Sequence, residues 1–238
     1  MKQIFFACAA LFLLSSCQIF GGKKVRGNGN IISQQRQTGN FTNLDVEGAV
    51  TVRLKQDQAT TVRVETDENL LEYLEISVSG NTLHIEPKDG YNLSPSNKVT
   101  VFVSAPEFKE IDLSGASELT SEGVINGNEM RLEASGASEI TMQVKLSEFT
   151  SNLSGATTLK LTGTASKFST DASGASKIQC LGLSTDQSTL DLSGASEAAV
   201  TAEKELNIEA SGASTVEYRG NANINQRSSG ASNVRKIS

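Results

Sequence analysis

The chain has no tryptophan, a single histidine, three cysteines and three prolines, and aromatic residues make up only 5% of its 238 residues. A core without large rings has to be assembled from small aliphatic side chains. With His84 the only imidazole, His-rich metal centres are excluded and His-based acid–base catalysis has little to work with. Positive charge is also in short supply: 21 Lys and Arg stand against 27 Asp and Glu, a net charge of −6. That balance offers no overall basic footprint for nucleic acid or for anionic lipid. Beyond the first fourteen residues there is no apolar run long enough to cross a bilayer. What remains is the composition of a Gly/Ser-rich secreted β protein of one domain.

The opening segment gives the address. Lys2 precedes an apolar run from Ile4 to Leu14, which ends in Leu14-Ser15-Ser16-Cys17. A positive start and a short apolar stretch describe a secretory signal, and the last four residues resemble the bacterial lipobox. Residues 1–16 are therefore expected to be removed as a lipoprotein signal peptide, and Cys17 to be lipidated. Residues 17–24 then form the lipidated Cys and tether. Several acyl chains on Cys17 would hold the protein to an envelope membrane, expected to be the outer membrane, without embedding it. Loss of Cys8 and acylation of Cys17 leave Cys180 without a disulfide partner. Cys180 alternates in register with Ile178 and is expected to be a small buried hydrophobe.

An internal repeat dominates the remainder. Ser-Gly-Ala-Ser, or Thr in the last place, starts at Ser114, Ser135, Ser154, Ser173, Ser193, Ser211 and Ser229, at spacings of 21, 19, 19, 20, 18 and 18 residues. Leu44-Asp45-Val46-Glu47-Gly48-Ala49-Val50 is a degenerate eighth copy upstream. Around each copy apolar residues alternate with period two, as in Met130, Leu132, Ala134, Ile140, Met142 and Val144, so the flanks are strands with one buried face. Two strand segments and their turns in 18–21 residues predict one coil of a right-handed parallel β-solenoid, an all-β fold.

Stacking such coils at about 4.8 Å turns each repeated position into a column. Gly115, Gly136, Gly155, Gly174, Gly194, Gly212 and Gly230 are expected to form an internal ladder with Ser117, Ser138, Thr157, Ser176, Ser196, Ser214 and Ser232, the hydroxyls bonding to stacked neighbours. Two residues before each motif lies an outward, mostly acidic column, Asp112, Glu133, Asn152, Asp171, Asp191, Glu209 and Arg227. Between these columns runs a stripe of outward Ser and Ala. Asp171 and Asp191 on adjacent coils would be about 5 Å apart, the separation that a retaining glycosidase uses. Against catalysis, the acids recur along the column instead of converging, and the aromatics of the repeats, Phe149, Phe168 and Tyr218, fall in the buried register. A solvated face or a weak Ca²⁺ site are the other readings of the column.

Residues 25–110 carry the same β texture less regularly. Candidate strands are 43–55, 60–66, 74–79, 82–87 and 98–104, with a short capped helix from Glu68 to Tyr73 and a long loop from Lys88 to Asn97. No linker separates this part from the regular coils 111–238, so 25–238 reads as a single domain whose irregular first part caps the solenoid. His84, between Leu83 and Ile85, is expected on the outer face.

Gly27-Asn28-Gly29-Asn30-Ile31-Ile32, the stretch Phe41 to Leu54, Leu83-His84-Ile85, and Val101-Phe102-Val103-Ser104-Ala105-Pro106 leading into Leu113-Ser114-Gly115-Ala116-Ser117 together resemble the head GIN domain family of putative auto-transporter adhesins. The resemblance covers residues 25–238 and implies a pectin-lyase-like β-helix, a role in cell adhesion and no catalytic residues. A classical auto-transporter carries a membrane barrel; here a lipid anchor would take its place. The expected function is thus a non-catalytic envelope lipoprotein that recognises a glycan or protein of a host or neighbouring cell, with no cofactor and no nucleic acid partner. A polysaccharide-active enzyme on the same scaffold and a self-associating structural lipoprotein, a homo-oligomer, are the alternatives.

Overall fold

A computed structural model describes residues 22–237. The chain winds into a parallel β-solenoid with two sheet walls joined along one edge by a stack of sharp corners. Seven regular coils are built from the strands between Glu110 and Lys236, each with an Ser-Gly-Ala-Ser/Thr corner. Equivalent residues pair directly from coil to coil, as in Glu139 with Thr158, Thr158 with Lys177 and Lys177 with Glu197. The sequence-derived solenoid is therefore the fold observed.

The alternation has its expected consequence. Leu132, Ile140, Leu159, Ile178, Leu190, Leu206, Ile208 and Val216 are buried, and with their stacked neighbours they form one continuous core. Phe149 and Phe168 stack inside it, with ring centroids 6.1 Å apart. Cys180 is buried among these residues, and burial pushes its thiol up to about 12, so it has no reactive thiolate at neutral pH. Opposite the sharp corners the central coils have no break: Glu139–Leu153, Thr158–Ala172 and Lys177–Leu192 each run through the return as one strand, bent at local register shifts. Elsewhere the strand is broken at the return, at Gly127-Asn128 and at Gly220–Ala222.

The N-terminal part extends the same walls out of sequence order. Asn43–Val46 and Val50–Gln56 stack beneath Glu110–Leu113 and Glu118–Asn126, and the upstream copy pairs residue for residue, Asp45 with Asp112 and Val46 with Leu113. Thr82–Pro87 and Val99–Ala105, although later in the chain, form the coil below that one. Leu74–Ser79 pairs antiparallel with Thr82–Pro87, and Thr61–Asp67 antiparallel with Val99–Ala105, with Ile31–Arg36 antiparallel outside it. Reversing direction ends the parallel stack, which is how this part caps the solenoid.

Three local expectations are corrected. The segment Lys88–Asn97 is not a plain loop: Tyr91–Ser94 is a strand, paired in parallel with Lys23–Arg26. Lys23 and Lys24 thus belong to the folded body, not to the tether. Glu68–Tyr73 is a 3₁₀ helix without a side-chain cap, because the Asp67 carboxylate is used elsewhere: it accepts hydrogen bonds from the Gly29 amide at 2.7 Å and from the Ser96 amide and hydroxyl at 2.8 and 2.6 Å. Burial alone would push this carboxyl up, but the Ser96 and Gly29 donors outweigh it and hold it below the usual carboxylate range. One buried anion thereby ties three separate segments together.

Candidate functional site: an acidic groove beside the corner stack

The motif residues make the corner itself. In each regular coil the strand stops before the first Ser and resumes after the last Ser or Thr. The seven motif glycines, Gly115, Gly136, Gly155, Gly174, Gly194, Gly212 and Gly230, have positive φ between +71° and +85°, a region that admits glycine without steric cost. They lie on the exposed side of the corner, not inside the solenoid as expected from the alternation. They are nevertheless a close-approach ladder. A Cβ on Gly174 would sit 2.6 Å from the Gly155 carbonyl oxygen, whose actual partner is the Ala175 amide at 2.8 Å.

The last hydroxyl of each motif does turn inward. Ser117, Ser138, Thr157, Ser176, Ser196 and Ser214 are at most 2% exposed, and Ser232 in the terminal coil is half-buried. Each donates to the carbonyl of the first Ser of its own corner, as Ser138 to Ser135 at 3.0 Å and Ser176 to Ser173 at 2.9 Å. Partners were expected between coils; the tight corner brings a carbonyl nearer than the next hydroxyl, so each corner satisfies itself. The stacked motifs leave a narrow outer edge of Gly and Ala with the first Ser set beside it.

Against that edge runs the acidic column. The ladder joins Asp45, Asp112, Glu133, Asn152, Asp171, Asp191, Glu209 and Arg227 in unbroken sequence. His84 continues it below Asp45, and its Nδ1 lies 3.0 Å from the Asp45 carboxylate. At the other end Arg227 binds Glu209 at 3.0 Å. A line of six carboxylates is thus closed at each end by a basic side chain. Asp45 belongs to the upstream copy of the repeat, but His84 could not be read from the sequence, because Thr82–Pro87 reaches the column only through the out-of-order stacking.

The carboxylates and the first Ser of each corner line a groove of about 560 Å³ between Asp45 and Ser173. Asp191, Glu209, Ser211 and Arg227 line a smaller hollow on the same two columns nearer the C-terminal end. Partial burial, with Asp45 and Glu133 beside it, holds the Asp112 carboxyl above the usual range. Partial desolvation and the flanking Asp171 and Glu209 do the same for Asp191. Such a row prefers a ligand that supplies hydrogen-bond donors or positive charge. Asp171 and Asp191 do face each other across adjacent coils, but both are exposed and belong to a repeating line. Among the described residues no three His, Cys, Asp or Glu side chains converge as they would around a metal ion. Cys17, the expected lipidation site, lies outside the described residues.

Residues 40–222 match the family model of the putative auto-transporter adhesins with a head GIN domain. The chain belongs to this family. Solved structures similar to this adhesin-family chain include a putative adhesin from Bacteroides fragilis NCTC 9343, at TM-score 0.85 and 16% identity over 90% of this chain and 100% of the other. A putative lipid binding protein from Parabacteroides distasonis ATCC 8503 matches at TM-score 0.73 and 20% identity, over 91% of this chain and 100% of the other. A putative adhesin from Parabacteroides merdae ATCC 43184 matches at TM-score 0.68 and 17% identity, over 91% of this chain and 100% of the other. At these identities the likeness shows the fold. No curated protein matches the chain.

Proposed function

We propose that the protein is a non-catalytic cell-envelope lipoprotein, anchored through Cys17 to the outer membrane, and that it acts as an adhesin or recognition module. The observation that carries this reading is the column: six carboxylates, interrupted once by Asn152, and a parallel row of Ser residues recur at the coil spacing and line a groove and a smaller hollow along one edge. A repeating row of acceptors suits a repeating ligand, a glycan or an extended segment of a protein, whose successive donors meet successive coils. Membership of an adhesin family supports the same reading, as does the burial of Phe149, Phe168 and Cys180 in the core, where they serve packing.

The test is binding of the purified protein to arrays of glycans and matrix proteins. A retained ligand should lose about tenfold in affinity when Asp112, Asp171 and Asp191 are changed together to Asn, the scale of one or two charge-assisted hydrogen bonds. Unchanged affinity would move recognition away from this groove. Release of product from an acidic polysaccharide that stops in Asp171→Asn or Asp191→Asn would overturn the non-catalytic reading. Protease accessibility on intact cells, against cells with a permeabilised outer membrane, tells display outside from a place in the periplasm.

A further inference from the structure

We propose that the end of the solenoid at which the tether enters docks on anionic lipid headgroups, so that the molecule stands end-on and its acidic groove runs away from the membrane. This rests on the reading of Cys17 as the anchor. The chain from Cys17 to Lys23 is six residues long, which limits the separation of the two to about 20 Å when fully extended. Whatever surrounds Lys23 is therefore held close to the headgroups.

What surrounds it is a cationic and aromatic cluster assembled from three stretches of chain. Lys23–Arg26 pairs with Tyr91–Ser94, and the Lys23 amide donates to the Gly90 carbonyl at 2.7 Å. The Lys88 amide donates to the Tyr73 carbonyl at 2.8 Å, and the Tyr73 and Tyr91 rings lie 4.6 Å apart. Lys23, Lys24, Arg26 and Lys88 are all exposed, with the exposed acids Glu72 and Asp89 on the same stretches and Glu68 and Glu75 on those adjoining. The chain as a whole is acidic, but the fold gathers four exposed basic side chains at the point where the anchor must leave it. Lys and Arg are drawn to an anionic surface, and tyrosines favour the interfacial zone.

The opposite orientation is electrostatically poor. A molecule lying on the groove face would bring six carboxylates within a Debye length, about 10 Å, of anionic headgroups. Standing on the cluster instead, the seven regular coils stack away from the tether end over about 30 Å at the inter-strand spacing. The coil that contains Asn225 is then the outermost.

The test uses the full acylated protein, extracted in detergent and reconstituted into vesicles of phosphatidylethanolamine and phosphatidylglycerol that carry a headgroup quencher. A fluorophore is placed on Asn92→Cys or on Asn225→Cys; Cys180 is buried and stays unlabelled. Quenching several-fold stronger at position 92 than at position 225 is expected. Changing Lys23, Lys24 and Lys88 together to Glu should remove most of that difference while the protein still floats with the vesicles. Equal quenching at both positions, or a difference indifferent to the charge reversal, would overturn the docking and leave the anchor standing. A protein that does not float with the vesicles at all would sink the anchor and the docking with it. Vesicles of phosphatidylcholine tell charge from mere proximity: the difference should shrink there, and persistence at full size would overturn the role assigned to anionic headgroups.

Discussion

The regular coils and the N-terminal part are made from the same kinds of strand but are held together in different ways. In the coils one short motif does everything: it turns the chain, satisfies its own hydroxyl, and stacks its glycine on the glycine below. Nothing in one coil depends on a residue far away, apart from its two neighbours. In the N-terminal part no motif repeats strictly. Its order comes from long-range polar contacts, with Asp67 drawing in Gly29 and Ser96 from 38 and 29 residues away. Repetition makes a structure that can be extended; singular contacts make one that ends.

Four comparisons sharpen that contrast. The largest effect is expected in a central corner. Gly174→Ala forces a Cβ at φ +77° against the Gly155 carbonyl oxygen. Left-handed strain and overpacking together should cost about 4 kcal/mol. Gly80→Ala, in the N-terminal hairpin at φ +60° with nothing within 4 Å, should cost only the strain, about 1 kcal/mol. Denaturant titration of the two compares them directly, and equal losses would show that corner stacking contributes little.

Next in size is Asp67→Ala, which leaves the Gly29 and Ser96 donors without their acceptor and should cost about 3 kcal/mol. The Asp67 carboxyl is held below the usual carboxylate range in the folded protein. Its stabilising share is therefore present above the unfolded pKa and is lost as pH falls through the lowered folded value. Wild type and Asp67→Ala should converge in stability at strongly acid pH, as thermal melts across an acid series would show. A constant gap at all pH values would mean that packing, not charge, is what Asp67 supplies.

A smaller loss, about 1 kcal/mol, is expected for Ser176→Ala, which removes one buried hydroxyl bond to the Ser173 carbonyl within a single corner. If the corners are self-contained, adding Ser214→Ala should double the loss, because the two sites share no partner. Strong coupling in a double-mutant cycle would break the picture of independent corners.

The smallest effect has the opposite sign. Asp112 sits in the acidic groove with its carboxyl held above the usual range, so the folded state binds its proton more tightly than the unfolded state does. Its ionisation therefore weakens the fold as pH rises through that raised value. Asp112→Asn should raise the melting temperature slightly at neutral pH, and the gain should vanish below the carboxylate range. High salt should shrink it as well, because the charges that cause it are half in solvent.

The seven corners, the alternating core and the acidic column from Asp112 to Arg227 were legible in the sequence, because a solenoid coil contacts its neighbours at a fixed offset. Once the offset is counted, every column follows. The inner and outer sides of the corner were not legible from alternation, because a glycine at positive φ breaks the alternation where it matters. The long loop from Lys88 hid a strand for a different reason: Tyr91–Ser94 has no repeat and becomes a strand only by pairing with Lys23–Arg26.

The sequence by itself thus determined the period, the core and the repeated face, all of which depend on residues about twenty positions apart. Only the tertiary structure decided that Thr82–Pro87 lies beneath Asn43–Val46, which brings His84 to Asp45 and closes the acidic line at its lower end. It also decided that Lys23, Tyr73 and Lys88 meet at the mouth of the tether. These contacts join stretches with no common spacing. They are selected by the free energy of closing one particular end of the stack, for which a periodic pattern carries no information.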